Sequence, residues 1–128
     1  MASEAFDRNA AAAAVTNGIV GLHREFYGRG ATTARTYITE SAVFCLMEDI
    51  FTAAERTLIE AGRMETVRQT RLEFQDAMRA RFTEVVEAAT GRRVVGFLSQ
   101  VEVGGHGVEF FVTESGAPAV AETDGAPR

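Results

Sequence analysis

Lysine is absent from this chain, and all 13 of its basic residues are arginine. Against 18 acidic residues they leave a formal net charge of −5, which argues against non-specific nucleic-acid binding, where phosphate contacts demand a basic surface. The arginine-only composition has two readings. The guanidinium fork suits bidentate contacts to carboxylate or phosphate, and a GC-rich genome would also favour arginine over lysine.

Other scarcities narrow the chemistry. One cysteine, Cys45, excludes a disulfide scaffold and points to a reducing, cytoplasmic setting. It lies within an apolar run, where a thiol is expected to be inert. The two histidines, His23 and His106, have no partner at metal-ligand spacing, so no metal is expected. No apolar run approaches the roughly 20 residues of a membrane span, and the opening MASEAFDRNAAAAAV lacks the basic start of a signal peptide. The segment 28-GRGATTAR-35 carries glycines and hydroxyls, but it follows a helical pattern rather than a strand and so is no dinucleotide fingerprint. No cofactor is expected, and the chain is read as a non-enzyme without direct membrane insertion.

What remains is an ordinary globular composition, 46% apolar and 24% charged over 128 residues, enough for one modest core. Residues 1–12 and 115–128 are small, polar or rich in Gly, Ala and Pro and read as flexible tails, leaving 13–114 as the single domain. Val15, Ile19, Leu22 and Phe26 make one helical stripe that ends at Gly28. ARTYITESAVFCLM then reads as two strands, the second apolar at six consecutive positions and hence buried on both faces. A capping box, 52-TAAE-55, opens a helical pattern that reaches Ala89. Unbroken, it would span about 55 Å, so a break is expected near its weak point, Gly62. Its stripe runs through Val67, Phe74, Met78, Phe82, Val85 and Ala89, and Gly91 stops it. Val95, Phe97, Val101 and Val103 alternate on the next strand, Gly104–Gly107 forms a hairpin loop, and VEFFVTE returns.

The order α-β-β-α-β-β predicts an α+β two-layer sandwich, with a long helix packed on a mainly antiparallel four-stranded sheet. Two helices cover one face of such a sheet, yet the strands are apolar on both. A second copy of the chain is the expected cover, with Phe44, Leu46, Phe97, Phe110 and Phe111 as interface candidates. The alternative is that the helix preceding Gly62 wraps round to the far face.

The adjacent carboxylates Glu48 and Asp49 suit either general acid/base chemistry or the ordinary turn before a helix N-terminus. Arg71 falls about 35° from the middle of the long helix's apolar stripe, so it must pair or snorkel. A salt bridge to Glu48 or Asp49 is one outcome. The other is an anion site built from Arg29, Arg35, Arg71, Arg92 and Arg93. On the strand, Arg93 shares a face with Val95 and Phe97, and Arg92 is expected to face water.

Three blocks, 17-NGIVGLHREFYGRGATTARTYI-38, 52-TAAERTLIEAGR-63 and 74-FQDAMRARFTEVVEAATGRRVVGFLSQV-101, resemble the MpsC-like domain family in order and over roughly residues 15–114. One departure is Ala53, where family members carry a proline after the capping threonine. The ending also has a local similarity to a gas-vesicle accessory protein. The family takes its name from a proposed sodium-translocating, membrane-potential-generating system. The resemblance therefore implies a soluble accessory or regulatory protein with a protein partner in membrane transport, and it carries over no catalytic residue. A sensor of an anionic metabolite or nucleotide, using the five arginines, is the alternative.

Overall fold

The structure, a computed structural model, describes residues 6–116. Its elements are α1 (Arg8–Tyr27), β1 (Thr33–Ile38), β2 (Ala42–Glu48), α2 (Ala53–Glu60), α3 (Met64–Ala77), α4 (Arg79–Thr90), β3 (Val94–Val101) and β4 (Gly107–Thr113). The four strands form one antiparallel sheet in the order β1-β2-β4-β3, an α+β sandwich as expected.

Helix α1 begins at Arg8, ahead of the expected domain start at 13. Asp7 accepts a hydrogen bond from the Ala10 amide, and the alanine run that looked like a tail is the best of helix formers. Of the expected tails, residues 1–5 and 117–128 lie outside the described residues. Gly28 and Gly91 close α1 and α4 with positive φ, the conformation glycine adopts without a Cβ penalty.

The capping box at Thr52 and Glu55 is complete in both directions. The long helical pattern breaks at Gly62, where φ is +79°, and breaks again at Met78, which neither glycine nor proline marks. The second break turns Val86, rather than Val85, fully into the core. Val85 instead meets α1 at Gly18, where an added Cβ would lie 2.6 Å from its Cγ1.

Val15, Ile19 and Leu22 of α1, Val67 of α3 and Phe82 and Val86 of α4 pack on Val43, Cys45, Met47 and Phe111. A β-bulge between Val94 and Gly96 changes the face assignment of β3. Val94, Phe97 and Val101 turn toward the helices, whereas Val95 is 53% exposed. The expected alternation is therefore corrected at Val95, and at Val103 because the strand ends at Val101 and Val103 lies exposed in the hairpin turn. The same shift reverses the two arginines ahead of the strand: Arg93 follows Val95 outward and Arg92 is buried. Helix α2 docks on α3 instead of wrapping round the sheet, so no helix among the described residues covers the second face.

Candidate functional site

That uncovered face is ordered by strand register. Tyr37 lies opposite Phe44, Phe44 opposite Phe110, and Phe110 opposite Leu98, so one apolar row crosses all four strands. The Tyr37 and Phe44 rings stack with centroids 5.2 Å apart and an interplanar angle of 20°; Phe44 and Phe110 follow at 5.3 Å and 8°. Such cross-strand pairs stabilise the sheet itself. A parallel row, Arg35–Leu46–Val108–Gln100, places an arginine and an amide at its ends.

Of the five interface candidates, Phe44, Leu46 and Phe110 occupy this face. Phe97 and Phe111 do not. They stack on each other at 4.9 Å on the helix side, and Phe111 is wholly buried. Adjacent residues of a strand point to opposite faces, so Phe110 and Phe111 cannot share one surface.

The five candidate arginines are not gathered into one pocket. Arg29 donates to the carbonyls of Asp49 (2.6 Å) and Phe51 (2.8 Å) and pairs with the Asp49 carboxylate. Buried Arg71 donates to the Ile50 carbonyl at 2.9 Å and grips Glu55 through Nε and Nη2, both at 2.7 Å. Arg56, not singled out from sequence, donates to Phe51 O at 2.8 Å. Three arginines thus clamp the carbonyls of residues 49–51. Arg92 sits a strand's length away, about 20 Å at 3.3 Å per residue, where it donates to Thr39 O at 2.6 Å. Arg93 pairs with Glu114 at the surface, and Arg35 belongs to the open face. Arg71 does form a salt bridge, but to Glu55 rather than to Glu48 or Asp49, because the capping glutamate at the start of α2 faces α3.

The clamped loop holds Asp49 at φ +57°, a left-handed conformation that is costly for a side-chain-bearing residue. Hydrogen bonds from Thr32 and Arg29 hold its carboxyl below the usual range. Across from the loop, the β3–β4 hairpin is tied on by the Ile50 amide donating to Gly105 O at 3.3 Å. Between α2 and this hairpin lies a cleft of about 450 Å³. Phe51, Ile59 and Val103 supply its apolar lining; Glu48, Glu60, Arg56 and His106 stand around it. His106 Nδ1 lies 2.6 Å from Glu102 Oε1, and that bond raises the imidazole pKa. His106 also lines a groove on the open face beside Arg35, Tyr37 and Leu46, so cleft and face meet there.

A second polar cluster lies inside the core. Glu109 of β4 meets His23 of α1, whose ring packs edge-on against Tyr27 and Phe82. The Arg71 guanidinium covers the Tyr27 ring at 3.9 Å, and burial pushes the Tyr27 phenol up to about 12. Glu109 was missed in the sequence, although its signal is present: in VEFFV it has the parity of Phe111 and must point inward with it. Among the described residues no group of three His, Cys, Asp or Glu side chains is arranged to hold a metal ion.

A family model described as MpsC, Na+-translocating membrane potential-generating system, matches residues 8–115. No curated protein and no solved structure matches the chain. Among the described residues, no helix is long and apolar enough to cross a membrane.

Proposed function

The chain belongs to the MpsC family, and on that premise we propose that it is a cytoplasmic accessory or regulatory protein of a membrane ion-transport system. In this reading it acts by protein–protein contact and not by catalysis. The observation that carries the reading is the apolar row Tyr37–Phe44–Phe110–Leu98 on a face that no described helix covers. Tyr37 and Leu98 at the ends of the row, and Leu46 and Val112 beside it, remain exposed. Leaving so many large apolar groups in contact with water forgoes roughly 25 cal/mol for each Å² that a partner would cover.

The first occupant in this proposal is a second copy of the chain. A closed two-fold dimer presents the same patch from both copies, and flat aromatic rows suit that self-complementary contact. Light scattering over a dilution series tests it. A mass near twice that of the monomer, lost on Phe44→Asp or Phe110→Asp with the fold retained, supports the dimer. A wild-type chain that is monomeric at every concentration defeats it.

A further inference from the structure

We propose that the cleft between α2 and the β3–β4 hairpin receives a basic segment of a partner polypeptide, an arginine or lysine side chain with its apolar stem. This deepens the accessory reading and rests on it. The first argument is the state of the carboxylates. Asp49 is engaged by Arg29 and Thr32, Glu55 by Arg71, and Glu102 by His106. The side-chain carboxylates of Glu48 and Glu60 both line the cleft and make no hydrogen bond or salt bridge among the described residues, although Glu48 stands near enough to His106 to favour its protonated form. With Asp49 paired to Arg29 and His106 to Glu102, the charged side chains left in the lining are Glu48, Glu60 and Arg56, two carboxylates to one cation.

The second argument is the shape. Phe51, Ile59 and Val103 give the cleft an apolar lining beside those carboxylates. A long basic side chain buries its methylene stem on such a lining and places its charged head at the rim. A volume of about 450 Å³ exceeds what a bare ion needs and lies within the range of ordinary ligand sites. The walls are set in advance. Arg29, Arg56 and Arg71 hold the β2–α2 loop by its carbonyls, and the Ile50–Gly105 hydrogen bond holds the hairpin against it. A site that needs little ordering on binding keeps more of its contact energy.

The third argument is the partner class. Membrane proteins concentrate arginine and lysine in their short cytoplasmic loops. An acidic, apolar-lined cleft on an accessory protein complements such a loop in both charge and stem chemistry.

The test uses the full-length chain and a fluorescent hexapeptide alternating leucine and arginine, with a leucine–glutamate peptide as control. Anisotropy should rise with the basic peptide alone, and Glu60→Arg or Glu48→Gln should weaken binding by about tenfold. Amide resonances of Gly104, Gly105 and His106 should shift on titration. Binding that ignores both substitutions, or that is equal for the acidic peptide, overturns the proposal. So does equally tight binding of arginine amide or spermidine, which would make this a site for free small cations. Light scattering on the same samples separates the two readings. A monomer that still binds the basic peptide defeats only the dimer, and a dimer that does not bind it defeats only the cleft.

Discussion

His23 Nε2 and Glu109 Oε2 lie 3.0 Å apart in the core although 86 residues separate them in the chain. The two side chains are 3% and 2% exposed, and they join the first helix to the last strand. Glu109 Oε1 has no hydrogen-bond partner among the described residues, so the His23 contact is the carboxylate's one direct satisfaction there. Removing either side is therefore expected to be severe. His23→Leu or Glu109→Leu alone should cost about 3–5 kcal/mol, the penalty of an uncompensated buried polar or charged group. The double variant should recover much of it. Urea unfolding of all four forms checks this, and strict additivity would mean the two groups do not act as a pair.

Arg71 combines a two-nitrogen grip on Glu55, a bond to Ile50 O and a face-on contact with Tyr27. Arg71→Ala should destabilise by about 3–5 kcal/mol because it strands a half-buried carboxylate and a backbone carbonyl. Arg71→Lys should recover little, since a point charge cannot reproduce the fork or the stacked plane. The midpoint of thermal unfolding is the readout, and near-wild-type behaviour of the lysine form would show that charge alone suffices.

Burial pushes the Glu55 carboxyl upward, but hydrogen bonds from Arg71 and Thr52 outweigh it, and the folded pKa lies below the ordinary 4.5. The folded state thus holds this proton less tightly than the unfolded chain does. The stabilisation is complete above the ordinary glutamate range and is lost as pH falls through the lowered folded value. Urea midpoints followed from neutrality into acid should decline over that window. Glu55→Gln should start lower at neutral pH and fall less steeply. Parallel curves for the two proteins would remove Glu55 from the acid response.

Cys45 is wholly buried, and burial pushes its thiol up to about 11. At neutral pH the native protein should react with thiol reagents only through opening of the fold. Labelling should therefore accelerate in Glu109→Leu in step with its lost stability. Rapid labelling of the intact wild-type chain would contradict the buried placement.

Phe110 and Phe111 are chain neighbours with opposite surroundings. Phe111→Ala opens a cavity in the core and should cost about 3–5 kcal/mol. Phe110→Ala should leave monomer stability less affected and, in the proposed dimer, weaken association instead. Unfolding curves and solution mass on both variants distinguish the two faces.

Much of this molecule is local in origin. The Thr52–Glu55 capping box, the glycine stops at Gly28 and Gly91 and the break at Gly62 depend on residues within a turn or two, so they are legible in the string. The two-sided apolar character of AVFCLM is legible for the same reason, because strand alternation has a period of two residues. Arg71 was recognisable as a cation turned into the core from its helical angle alone.

Its partner was not. Glu55 meets Arg71 only because the chain reverses at Gly62 and lays α2 against α3, and Glu109 meets His23 only because β4 turns Glu109 to the face of the sheet that the helices cover. The bulge at Val95 exchanged the roles of Arg92 and Arg93, and the break at Met78 moved burial from Val85 to Val86. The amino-acid sequence by itself determined the elements, their caps and the apolar content of each strand, since those follow from spacing along the backbone. Which side chains meet, which face stays open and where the arginines spend their hydrogen bonds were decided by tertiary structure. Such pairings join residues far apart in the chain, and a one-residue shift in a strand is enough to turn each of its side chains to the other face.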